Sequence, residues 1–192
     1  MPTLEYDLRY ISACKELLKD YLLSKDIYRP IGISAGRGLP PYPQLTLGNM
    51  LLAIMRAQAR RDKPEVENDL RRLERQINRL HKQWRVAWET KARDEFRARL
   101  RLWGNYLDDY RKDPGLHASR YGYEVGRRVL LQILESETVD IPQEQLSLLA
   151  GMDKLLQAFF SEGAFAWDEE LTSSFPREPY WYLYGYLREE LL

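Results

Sequence analysis

Two histidines, one cysteine and a few neighbouring carboxylates are the side chains of this sequence that could carry bond chemistry. His81 and His117 are far apart, and neither sits in a His-Glu-x-x-His or Glu-x-x-His frame, which would put two ligands on one helix face. No metal ligand is nominated. Cys14 has no histidine near it in sequence and no second thiol for a disulfide or a zinc knuckle, which suits a reducing compartment. A nucleophile elbow is not expected. Asp108-Asp109 and Glu169-Glu170 are adjacent pairs, so on a helix they diverge by about 100° and share no proton without tertiary help. His117 follows Asp113 by four, which fits helix-start chemistry better than a catalytic dyad. No catalytic or cofactor-binding residue emerges, and the reading leans away from an enzyme.

Anion binding is the second chemistry to weigh. The string Gly32-Ile33-Ser34-Ala35-Gly36-Arg37-Gly38 has the glycines of a turn whose amides can cradle a phosphate. It lacks the Gly-Lys-Ser/Thr ending and no strand pattern precedes it, so nucleotide binding is not expected there. Arg72, Arg75, Arg79, Lys82 and Arg85 have no carboxylate four positions before them, unlike Arg71 after Glu67, Arg93 after Glu89 and Arg99 after Glu95. This stripe reads as a phosphate-backbone track, as a docking face for an acidic partner, or as a solvated face that meets the chain's own acidic C-terminal part. Aromatic residues interleave poorly with it, which weakens the nucleic-acid reading. Leu39-Pro40-Pro41-Tyr42-Pro43 is expected to lay a loop across a helical core with Tyr42 as its anchor, rather than to display a polyproline ligand.

Helices must position these groups. Leu4, Leu8, Ile11, Leu17, Leu18, Tyr21 and Leu22 recur near helical spacing and predict a helix from about Tyr6 to Ser24. Prolines and glycines between Tyr28 and Pro43 make a surface loop, and Leu45 to Arg60 returns to helix until Asp62-Lys63-Pro64 stops it and starts the next. Beyond Pro64, the residues Val66, Leu70, Leu73, Ile77, Leu80, Trp84 and Ala87 alternate steps of 4 and 3, the seam of a coiled coil. Trp84, Trp88, Ala92, Phe96 and Leu100 then step by four. Such a stutter rotates the apolar stripe, so a bend or a change of partner is expected near Trp88, with a break at Glu89 and Thr90 as the alternative to a projecting rod. Unbroken from Val66 to Tyr110, the rod would be about 68 Å long at 1.5 Å per residue. A compact domain of this size has a radius of gyration of roughly 16 Å.

Ala118 to Leu134 reads as a further helix, and its Gly122 and Gly126 predict close approach of a bulky neighbour such as Trp84, Trp88 or Trp103. Asp140-Ile141-Pro142 opens another helix that runs through Leu146, Leu149, Met152, Leu155, Leu156 and Phe159 to a stop at Gly163. After Pro179, Tyr180, Trp181, Tyr182, Tyr184 and Tyr186 predict a short terminal helix that is aromatic on several sides. No strand longer than a few residues and no internal repeat is predicted.

With 29 basic and 29 acidic residues among 192, the net charge is zero, which argues against general nucleic-acid or membrane binding. The charge is nevertheless segregated. Residues 56–101 hold 15 basic and 8 acidic side chains, whereas residues 135–192 hold 3 and 12. The apolar run from Met50 to Met55 is far shorter than the roughly 20 residues of a membrane span, and charges interrupt any secretory core in the first eighteen residues, so a cytoplasmic protein is expected.

The strings Pro41-Tyr42-Pro43-Gln44-Leu45-Thr46-Leu47-Gly48, Trp84-Arg85-Val86-Ala87-Trp88-Glu89, Phe96-Arg97-Ala98-Arg99-Leu100-Arg101-Leu102-Trp103 and Pro179-Tyr180-Trp181-Tyr182-Leu183-Tyr184-Gly185 resemble an uncharacterised family of bacterial helical proteins. The likeness spans most of the chain. That family has no assigned activity, so the resemblance implies a fixed fold and nothing more.

The sequence therefore predicts one all-α domain over 1–192, a helical bundle of about five to seven helices in which 64–113 is a long central or projecting helix carrying the heptad seam. Its expected role is non-enzymatic protein–protein interaction or assembly, as a homo-oligomer or with a helical partner and without a cofactor. The expected contact residues are Leu70, Leu73, Ile77, Leu80 and Trp84 on the seam and Tyr180, Trp181 and Tyr184 near the C-terminus. The alternative is an accessory nucleic-acid-binding protein that uses the basic stripe.

Overall fold

Helices form where the apolar spacing predicts them, and the differences lie at their joints. The computed structural model describes residues 2–60 and 64–190, and for 64–66 the backbone alone. Helix α1 (Leu4–Leu23) starts from Thr3, whose hydroxyl accepts the Tyr6 N–H, and buries Tyr10, Ile11, Cys14, Leu18 and Tyr21. A connection without regular structure follows, pinned by two backbone hydrogen bonds of 3.0 and 2.7 Å between Arg29 and Leu45. Helix α2 (Leu47–Ala59) is capped by Thr46 and buries Met50, Ala53, Ile54 and Ala57. Then come α3 (Pro64–Gln83), α4 (Arg85–Lys112), the single turns α5 (Pro114–His117) and α6 (Tyr121–Glu124), α7 (Gly126–Ser136) and α8 (Gln143–Phe159). Six of these helices have 11 residues or more, so the described chain is mostly helical. No described helix is long and apolar enough to cross a membrane.

The core is built around α4. Trp88, Ala92, Phe96, Leu100, Trp103, Leu107 and Tyr110 are all buried along its inner side, and α7 packs against them with Val129, Leu131, Ile133 and Leu134. At 28 residues α4 is about 42 Å long. The long 64–113 helix is thus two helices, and they part at Trp84 (φ −119°, ψ 37°), one turn before the expected change at Trp88. The joint is a bend rather than a gap: Trp84 N–H still donates to the Leu80 carbonyl and Trp88 N–H to the Trp84 carbonyl, each at 2.9 Å. The change of partner that the stutter implies takes place across it. Helix α3 packs chiefly on α1, whereas α4 packs chiefly on α7. The Asp62-Lys63 stop between α2 and α3, and the side chain of Val66 at the head of the seam, lie outside the described residues.

Two further expectations are corrected. The stretch 118–134 is not one helix: a 3-10 turn at Ala118–Arg120 leads into α6, and α7 starts anew after Val125. The bulky neighbour over Gly122 and Gly126 is Trp167, whose indole N–H donates to the Gly122 carbonyl at 2.9 Å and whose ring lies 3.8 Å from where a Gly126 Cβ would stand.

The second correction concerns the C-terminus. After α8 the chain forms β1 (Phe160–Phe165), antiparallel to β2 (Tyr184–Leu187), with Phe160 opposite Leu187 and a bulge between Glu162 and Phe165. No helix follows Pro179; Trp181–Leu183 is one 3-10 turn entering β2. Non-local contacts decide this. A Cβ on Gly185 would collide with the Ser161 carbonyl oxygen and the Phe160 ring, so only glycine lets the strands pair at that register. Between the strands, residues 166–183 fold back with Leu171, Phe175, Tyr182 and Leu183 fully buried.

Candidate functional site

Helix α3 carries most of the expected seam and of the basic stripe, and each side chain lies where helical geometry sends it. Leu70, Leu73 and Ile77 face inward and are 2–6 % exposed, while Leu80 and Trp84 are partly buried against the same core. These five expected interface residues therefore pack within the chain. Arg75 and Arg79 follow Leu73 and Ile77 by two residues, about 200° round a helix, so they point away from the core. All five stripe residues, Arg72, Arg75, Arg79, Lys82 and Arg85, are exposed. Arg72 pairs with Asp69 at 2.9 Å and Arg85 with Glu89 at 3.5 Å. Arg75, Arg79 and Lys82 make no ion pair among the described residues, with the acidic C-terminal part or otherwise.

The C-terminal aromatic residues are largely satisfied by one another. Tyr180 packs edge-on to Phe175 and Tyr182, Trp181 lies edge-on to Phe160, and Tyr184 packs on Phe165 and donates its hydroxyl hydrogen to the Phe175 carbonyl. Tyr180 is buried, while Trp181 and Tyr184 are half-buried.

The 30–43 loop lies across the helical core with Tyr42 as its anchor. Tyr42 stacks on Tyr6 and Tyr10, with ring centroids at 4.5 and 5.8 Å, and the hydroxyls of Tyr6 and Tyr10 donate to the Pro41 and Gln44 carbonyls. Gly32-Ile33-Ser34-Ala35-Gly36 does have the Gly-x-Ser-x-Gly spacing of a nucleophile elbow. The structure gives it no elbow geometry: no strand precedes it, no helix starts at it, and the exposed Ser34 hydroxyl accepts only the Gly36 N–H, at 3.3 Å. Asp113 caps the Leu116 N–H at 3.0 Å, as the helix-start reading of Asp113 and His117 requires.

Three buried ionic clusters went unnoticed in the sequence, because each joins residues that are far apart along the chain. Asp7 of α1 is gripped in two places by Arg56 of α2 (3.1 and 2.5 Å), and Arg60 links it on to Asp168 and Glu170. Glu95 accepts from the Gly48 N–H at 2.9 Å and from Arg99, which also reaches Thr46 and Asn49. Arg128 makes a fork to Asp153, 2.8 Å on each arm, beneath the Tyr182 ring. Paired in this way, they act as clamps between elements. Two isolated groups are equally enclosed. The Lys91 ammonium donates to the Asp26 carbonyl and lies 4.5 Å from the Tyr21 ring centre, and burial lowers its pKa. Burial pushes the Cys14 thiol up to about 12. Among the described residues no three His, Cys, Asp or Glu side chains converge to hold a metal ion.

A cleft of about 490 Å³ opens where α2, α3, α4 and α7 meet. Leu51, Ile54, Met55, Ile77 and Ile133 supply apolar walls, and Tyr180 reaches in from the C-terminal part. Its polar edge is acidic. Glu74 accepts from the Gln58 amide at 2.7 Å and Glu137 accepts from the Trp88 indole N–H at 2.7 Å. His81 is half-buried and stacks on Trp88 with centroids 4.3 Å apart. Comparison of the chain with protein-family models, with curated proteins and with solved structures finds no match, so no activity passes to it by likeness.

Proposed function

We propose that this chain is a non-enzymatic, cytoplasmic interaction protein that self-associates, the exposed basic face of α3 in one copy meeting the acidic surface of the C-terminal part of another. The observation that carries this reading is the trio Arg75, Arg79 and Lys82: three exposed cations one helical turn apart, with no ion pair among the described residues. Their complement lies on the same chain, in a region with 3 basic and 12 acidic residues. Asp140, Glu144, Glu178 and Glu189 are exposed there and make no ion pair among the described residues. A contact between two different surfaces is heterologous and builds rings or open chains of subunits. Burial of the seam favours this surface over the coiled-coil one.

Light scattering behind size exclusion tests the proposal. At about 0.05 M salt the molar mass should be a multiple of 22.8 kDa, falling toward one chain at about 0.5 M as exposed charges are screened. Replacing Arg75, Arg79 and Lys82 together with glutamine should give one chain at both salts. A single chain at low salt in the unaltered protein overturns the reading. The same face also fits a nucleic-acid backbone; co-purifying absorbance at 260 nm that the triple variant loses would favour that second reading.

A further inference from the structure

We propose that the cleft between α2, α3 and α7 is a binding site for a small organic cation, an ammonium group carried on an apolar body. Its volume of about 490 Å³ lies within the usual range for small-molecule sites. Two carboxylates, Glu74 and Glu137, line it together with Leu51, Ile54, Met55, Ile77 and Ile133; no lysine or arginine does, and His81, stacked on Trp88, is its one basic side chain among the described residues.

Each carboxylate is held in place through one oxygen, Glu74 Oε1 by the Gln58 amide and Glu137 Oε2 by the Trp88 indole. The other oxygen of each makes no hydrogen bond among the described residues. Two carboxylates in the lining of a partly apolar cavity attract a cation more strongly than they would in open water. The aliphatic walls take the ligand's body. An anionic ligand of the same shape would face the two carboxylates with no lysine or arginine in the lining to offset them. The cleft lies on a different side of α3 from Arg75, Arg79 and Lys82, so this inference stands apart from self-association and its test does not depend on it.

Calorimetric titration with 2-phenylethylammonium, against 2-phenylethanol as its neutral analogue and 3-phenylpropanoate as its anionic one, provides the test. The ammonium should bind one per chain, at least tenfold more tightly than the alcohol, and the carboxylate should not bind. Glu74→Gln and Glu137→Gln each keep an amide oxygen for the Gln58 or Trp88 donor, so the fold is retained; together they should erase the tenfold preference and leave alcohol binding as it was. Equal affinity for ammonium and alcohol, a preference that survives in the double variant, or no saturable binding of the ammonium would each overturn the proposal.

Discussion

Helix α3 and the C-terminal unit formed by residues 160–190 are similar in scale, yet they are held in opposite ways. Helix α3 is a regular element anchored by one narrow row of side chains, Leu70, Leu73 and Ile77, with exposed cations on its opposite side, of which Arg75, Arg79 and Lys82 make no ion pair among the described residues. The C-terminal unit has two short strands and two single turns, and its order comes from ring-on-ring packing and side-chain bonds to backbone, such as Trp167 to Gly122 and Tyr121 to the Tyr182 carbonyl. The difference teaches where each is vulnerable. A helix with a single apolar row fails if the row is charged, and tolerates almost anything on its far side. A unit knitted by close backbone approach fails at its smallest residue.

The largest effect should come from charging the row. Leu73→Asp buries a carboxylate with no partner and should cost about 4 kcal/mol or more, seen as loss of the cooperative thermal transition or a large fall in its midpoint. If Leu73→Asp instead gave a stable folded monomer from an oligomer, the row would belong to an interface between chains and the comparison would collapse. Next comes Gly185→Ala, which forces the hairpin apart at Ser161 and should cost about 3 kcal/mol. The helical circular dichroism should persist while the near-ultraviolet aromatic signal weakens, because the strands unpair without disturbing α3. Trp167→Phe keeps most of the ring but strands the Gly122 carbonyl, at about 1 kcal/mol by denaturant titration. Smallest of all, the triple glutamine variant of Arg75, Arg79 and Lys82 should shift stability by less than about 0.5 kcal/mol, while the association proposed for that face should be lost.

The same contrast explains what the sequence could tell. The faces of α3 were legible because Leu70, Leu73 and Ile77 are neighbours on a helix whatever surrounds them, and the Arg75 stripe follows from the same period. Which partner the seam would meet was not legible, since α1 is remote in the chain and a heptad row packs equally on a second copy or on its own core. The bend was anticipated from the run of fours, but its place at Trp84 depends on where α1 gives way to α7 as partner. In the C-terminal unit, aromatic density carried no period at all. The hairpin hangs on Gly185 meeting Ser161, and the cleft on Glu137 meeting Trp88 across 49 positions. No local pattern announces either pairing.

Cys14 gives the core a built-in timer. It is the chain's one thiol, fully enclosed on the inner side of α1, and held protonated by its surroundings. A thiol-directed reagent can react with it only while the packing around α1 stands open, so the labelling half-life at saturating reagent counts how often the molecule opens. A ligand that closes the cleft against α2 would slow that clock, and its occupancy could be followed without any probe added to the protein.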